Sequence, residues 1–186
     1  MAVIEPEQHW LRPTPHVPNS KLPFLVYRGV FKGQSADEIK KHIEANKWLK
    51  GGQWKTYKIA HFHTNTHECY AVLSGETLYE VGKSPIDDEF DADGKRTGFR
   101  VWLEQGDVFV LPAGISHCSV ESVGDYEHMG FYPEDSPKWD MNFGKEPPEQ
   151  TPMLGDKAQS VPIPDLDPVY GALGPLPKIW RENENS

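Results

Sequence analysis

Five of the eight histidines in this chain lie between residues 61 and 128, and their spacing suits metal chemistry. His61 and His63 stand two apart in a stretch that alternates apolar and polar residues, so on a strand both imidazoles point to one face. Glu68 follows five residues after His63, an odd offset that a straight strand would send to the opposite face. Thr64, Asn65 and Thr66 read as a break that resets the phase. His117 lies in a second segment with Gly106, Pro112 and Gly114, and it joins the other three if that segment pairs beside the first. Three imidazoles and one carboxylate form a borderline-to-hard donor set. It suits a divalent Fe, Mn, Ni, Co or Zn ion rather than a thiolate-seeking one. Four protein donors on an octahedral ion leave two positions for water, dioxygen or a chelating substrate. That describes a reactive site, since structural zinc sites are closed and rich in cysteine.

The elements that must carry these residues are short strands. From Gln53 to His63 the pattern alternates around Trp54, Tyr57, Ile59 and Phe62. Cys69 to Leu73 is an apolar run ending at Ser74 and Gly75, and Thr77 to Val81 follows as the second arm of a hairpin. Phe99 to Leu103, Asp107 to Leu111, Ser116 to Ser122 and Tyr126 to Tyr132 are further strands. Short, even strands broken by Gly, Pro or Asp indicate an antiparallel sandwich or barrel, including the jelly roll. Residues 82–98 form a long acidic loop turning at Asp93 and Gly94. It reads as a solvated loop, with a lid as the alternative. One helix precedes the strands: Ser35 and Glu38 have the capping-box spacing, Ile39 and Ile43 share a face, Trp48 extends it, and Gly51 and Gly52 stop it.

Proline partitions the chain. Residues 1–23 hold five, residues 133–186 hold ten, and the 109 residues between hold only Pro85 and Pro112. Proline cannot donate to a sheet ladder, so the middle is the structured body and the flanks are extended arms wrapping it. The expected organisation is one domain over 1–186, with a barrel core at about 24–132 and a C-terminal arm at about 133–180.

Composition removes several classes of function. Lys and Arg number 19 against 28 Asp and Glu, for a net charge of −9. That surface repels phosphate backbones and anionic membranes, so nucleic acid and membrane are not expected partners. No apolar run approaches the ~18 residues of a membrane-spanning helix, and Met1 to Pro6 lacks the basic-then-apolar order of a signal peptide. Two cysteines, Cys69 and Cys118, are no disulfide framework, and a cytoplasmic location is expected.

At this point a resemblance becomes specific. His61, His63, Glu68 and Gly75 match HxHx4Ex6G, and Gly106, Pro112, Gly114 and His117 match Gx5PxGxxH. These are the two cupin motifs, in the cupin order. Lys55 stands where a leading Gly is usual, and Glu121 where an Asn often closes the second motif; neither change removes a ligand. Leu25 to Gly29, Val161 to Gly171 and Gly174 to Trp180 resemble the single-domain YjlB-type cupins. The resemblance implies an all-β jelly-roll barrel and a divalent metal on His61, His63, Glu68 and His117. By analogy it also implies a homodimer.

Other residues are placed by parity. Tyr57 and Ile59 share the face of His61 and His63, and Tyr70 and Val72 share that of Glu68. His128, Tyr57 and Tyr70 are the candidate catalytic groups beside the metal. Core packing accounts equally well for the two tyrosines. Trp54, Phe62 and Trp102 read as sheet packing. Cys69 and Cys118 each follow a ligand and should point away into packing. His67, next to Glu68, should face away as a surface or supporting residue. The function expected is that of an oxidoreductase of dioxygenase type acting on a small oxygen-bearing substrate. A metal-dependent isomerase, lyase or decarboxylase, or a non-catalytic small-ligand binder, is the alternative.

Overall fold

In the computed structural model, which describes residues 3–184, alternation along the strands sets the architecture. The strands are Glu7–His9 (β1), Phe24–Tyr27 (β2), Trp48–Trp54 (β3), Glu68–Val81 (β4), Phe99–Glu104 (β5), Val108–Leu111 (β6) and His117–Pro133 (β7). They join antiparallel in the order β1-β2-β6-β4-β7-β3, with β5 paired to β4. β4 is the axis. Its first half pairs with β6 and its second half with β5, while β7 runs along its other side. This is the all-β, jelly-roll type of barrel that the strand pattern predicts.

Successive side chains on each strand go to opposite faces. Phe24, Val26, Tyr70, Val72, Phe109 and Leu111 fill the barrel interior. Leu25, Tyr27, Cys69, Ala71, Val108, Val110, Met129 and Phe131 face a second apolar layer on the outside. That layer is closed by the helices Ala36–Ala45 (α1) and Leu176–Asn183 (α3) through Ile39, Ile43, Leu176, Ile179 and Trp180. With both faces covered, β2 and β6 are buried throughout, which is why they read as unbroken apolar runs. Burial of Ile39 and Ile43 contributes about 2 kcal/mol each.

α1 begins as expected: Ser35 accepts from the Glu38 amide, and the Glu38 carboxylate accepts from the Ser35 backbone. Its end differs. Asn46 caps it and Lys47 takes a positive φ of 64°, so Trp48, Gly51 and Gly52 belong to β3 rather than to the helix. The Ser74–Gly75 hairpin is also corrected. β4 runs straight through it, and Gly75, at φ 63°, sits in a stretch of register shifts against β7. A left-handed Gly inside a strand marks a bulge as readily as a turn. β7 is one strand where two were expected. The 53–63 stretch is strand only to Trp54, with an isolated bridge at His61.

The N-terminal arm is extended, but the C-terminal arm holds two helices, Thr151–Gln159 (α2) and α3. Proline is the reason for the misreading. Pro152 and Pro177 sit in the first turns, where a missing N–H costs nothing and the fixed φ favours the helix. Asp167 staples this arm to the barrel. Fully buried, it accepts from the Val169, Tyr170 and Leu176 amides and from the Tyr27 hydroxyl at 2.6–3.1 Å. Among the described residues no helix is long and apolar enough to cross a membrane.

Candidate metal centre

His61 and His117 are brought together by a backbone pair. The His117 amide donates to the His61 carbonyl at 2.9 Å, and the His61 amide returns the bond at 3.3 Å. Directly opposed residues of an antiparallel pair share a face, and the two rings lie 4.4 Å apart. His63 follows on the same face, its carbonyl accepting from the Gly114 amide at 2.7 Å. Residues 64–67 break the strand, and β4 opens at Glu68 with its carboxylate turned inward. The phase reset is therefore present, and the two distant segments lie side by side.

One nitrogen from each of His61, His63 and His117 lies within 4.8 Å of the others, and all three residues are buried. Glu68 Oε2 lies 3.2 Å from both His63 Nε2 and His117 Nε2. None of these three atoms is aligned in a hydrogen bond with the others or has any other partner. Each ring is oriented from behind. The Nδ1 of His61 donates to the Ile59 carbonyl at 2.9 Å, that of His117 to the Ile115 carbonyl at 3.0 Å, and that of His63 to the Asp140 carbonyl. With Nδ1 carrying the proton, Nε2 presents a lone pair to the common point. Backbone carbonyls behind ligating histidines fix this tautomer in metal sites. The unpartnered, converging atoms fit a divalent cation. A buried polar atom left without a partner costs about 1–3 kcal/mol, and a cation there satisfies three at once.

The electrostatics agree. Burial, aided by His117, pushes His61 down to about 3. Burial alone would raise Glu68, but the His63 and His117 rings beside it hold it well below the usual carboxylate range. Burial lowers His63, yet the Glu68 carboxylate outweighs it and leaves the ring above its ordinary value. Without an ion these shifts favour a protonated His63 beside an ionised Glu68, and a cation bound there would displace that proton.

The cluster opens on a cavity of about 210 Å3 lined by Trp54, Tyr57, His61, His63, Tyr70, His128, Tyr132, Trp139 and Met141. Tyr57 stands edge-on to His61 at 5.0 Å. Tyr70 is edge-on to His128 at 4.8 Å. Burial lowers His128 to about 4, and its Nδ1 has no partner. All three candidate catalytic groups are thus beside the cluster. Ile59, placed in the pocket by parity, is instead exposed, because the strand ends before it. Trp54 is a cavity wall as well as a packing residue.

Sequence reasoning missed Tyr132 and the segment that follows β7. Tyr132 donates its hydroxyl to Glu68 Oε1; it shares parity with His128, a signal that was available. The segment after β7 straps over the site. Asp140 bonds Thr64, and its side chain meets Lys157 at 2.8 Å. Asn142 and Phe62 exchange backbone bonds at 2.8 and 3.1 Å. The strap brings in Trp139 and Met141, which no local pattern announces. His67, by contrast, is fully buried and faces away. It accepts from the Ala113 amide at 3.0 Å and packs on Trp180. A surface position for it is excluded. Cys69 and Cys118 are free and buried, as parity requires.

The barrel, the two motif segments meeting on one face and the inward histidines together describe a cupin-type barrel, and sequence comparison with known proteins agrees. The sequence model of the Cupin family matches residues 58–132. The uncharacterized protein YjlB of Bacillus subtilis (strain 168) is 28% identical over 167 residues, covering 88% of this chain and 90% of that one. An acireductone dioxygenase of Phaeosphaeria nodorum is 33% identical over 92 residues, 47% of each chain. Among solved structures, the 11S globulin procruciferin of Brassica napus overlaps 49% of this chain at 17% identity and a TM-score of 0.34, and the chain spans 21% of its length. Residues 58–132 thus match a cupin domain, and the wider chain is similar to YjlB over most of its length.

Proposed function

We propose that this protein is a metal-dependent cupin enzyme of dioxygenase type acting on a small oxygen-bearing molecule, with the ion held by His61, His63, Glu68 and His117. One observation carries the reading: buried Nε2 and carboxylate atoms converge on one point without partners, at the floor of a cavity. The bound ion would supply Lewis acidity and, if it is iron, redox chemistry toward dioxygen. The chain's own residues do the rest. The carbonyls of Ile59, Ile115 and Asp140 hold the rings in the ligating tautomer. Tyr132 orients Glu68. His128, neutral at ordinary pH, is placed to take or return a proton at its Nδ1. The partial likeness to an acireductone dioxygenase supports the oxygenase class over the alternatives.

The same site serves a second reading, metal-assisted isomerisation, lyase or decarboxylation chemistry, in which His128 again moves the proton. A third reading, non-catalytic binding of a small ligand, uses the same cavity. A homodimer remains the expectation by analogy, while a cytoplasmic location and folding of residues 1–186 as one domain remain expectations from the sequence. The deciding experiment is elemental analysis of protein purified without added metal, followed by oxygen uptake on a panel of catechols and β-diketones. Stoichiometric iron with uptake supports the dioxygenase. Stoichiometric zinc without turnover on the panel overturns it.

A further inference from the structure

The walls of the cavity are more specific than its floor. Apart from the histidines they are aromatic or thioether side chains, and no Lys, Arg, Asp or Glu lines them. A substrate with several carboxylates would find no charge partner there beyond the ion itself, and a desolvated anion without a partner is expelled. A volume of about 210 Å3 holds about ten non-hydrogen atoms at interior packing density.

Two of the walls depend on the Gly51–Gly52 pair. β3 shifts register between Lys50 and Gly52, so Gly51 is an extra residue bulged toward the site. A Cβ on Gly51 would lie 2.3 Å from the Tyr132 ring and 3.0 Å from Trp139. A Cβ on Gly52 would lie 2.2 Å from the Trp54 ring. The double glycine therefore seats both indoles against the sheet. Trp139 stacks face to face on Tyr132 at 4.5 Å and 10°, which fixes the plane of the indole beside the cavity. Aromatic walls select flat ligands, because stacking gains contact without strain.

We propose, resting on the metal-dependent reading above, that the cavity takes a planar aromatic molecule of about ten non-hydrogen atoms with two adjacent oxygen donors. The oxygens lie at the His61–His63 end and the ring stacks on the Trp54 and Trp139 walls. Gly51 and Gly52 determine specificity by making room for those walls.

The test uses zinc-loaded protein, which cannot turn over by redox chemistry, and two probes: 4-nitrocatechol, and acetohydroxamate as a chelator without a ring or a carboxylate. Calorimetry and indole fluorescence report binding. One nitrocatechol binds per zinc and quenches fluorescence. Trp139→Ala weakens nitrocatechol about five- to tenfold and leaves acetohydroxamate unchanged, with zinc content and circular dichroism intact. Gly52→Ala, which displaces Trp54, acts in the same direction. If zinc is taken up but both probes bind equally in all variants, the inference is overturned and the metal reading stands. If no zinc is taken up while nitrocatechol still binds in a Trp139-dependent way, the metal reading is overturned and the aromatic cavity stands. If neither binds, both fall.

Discussion

The Tyr132 hydroxyl donates to Oε1 of Glu68 while Oε2 of the same carboxylate faces His63 and His117 at 3.2 Å. One oxygen is thus anchored and the other is free to ligate. A carboxylate held this way cannot rotate to offer both oxygens, so Tyr132 decides how Glu68 is presented.

Tyr132→Phe should therefore weaken metal binding by about 10- to 100-fold, measured by competition with a coloured chelator. It should also lower stability by about 1–3 kcal/mol by leaving a buried carboxylate oxygen bare. An unchanged affinity would show that packing alone orients Glu68.

Paired replacement of His61 and His63 by Ala should abolish stoichiometric metal while the far-ultraviolet spectrum of the barrel persists. Neither ring belongs to the apolar clusters that hold the strands together. Retained metal in that variant would refute the ligand assignment.

Asp167 lies away from the cluster, so its loss should separate stability from function. Asp167→Ala strands three amides and the Tyr27 hydroxyl, and should cost about 3 kcal/mol or more in urea unfolding. The protein that remains folded should keep its full metal content. A loss of metal in proportion to the lost stability would instead tie the arm to the site.

Stability of the metal-free protein should fall between pH ~6.5 and ~4. His128 is buried neutral with a folded value of about 4 against about 6.5 unfolded. Below 6.5 the unfolded chain takes up a proton that the folded one refuses, so stability declines until pH reaches the folded value. The full difference is about 3 kcal/mol. His128→Gln should reduce that slope in a series of urea midpoints, leaving the part that the buried His61 and His67 contribute; an identical slope would assign the acid sensitivity elsewhere.

Much of the site could be read in one dimension because period-two alternation is a local rule. His61 and His63 share a face for that reason. Cys69 and Cys118 turn away for the same reason, and Tyr70 and His128 turn inward. The capping box of α1 was equally local. Errors arose where one residue type has two uses. Gly75 served a bulge instead of a turn, Gly51 and Gly52 made room for rings instead of ending a helix, and prolines opened helices instead of excluding them.

The order of residues alone determined the donor set, its spacing and the kind of sheet that carries it, because ligand chemistry and strand parity are properties of neighbours along the chain. Tertiary structure alone decided that Asp140 and Trp139 close over His63, that Tyr132 anchors Glu68, and that the cavity walls are aromatic and uncharged. Those contacts join residues some 60 to 80 positions apart. Loop closure over such lengths is set by the packing of the whole barrel and leaves no periodic mark on the segments it joins.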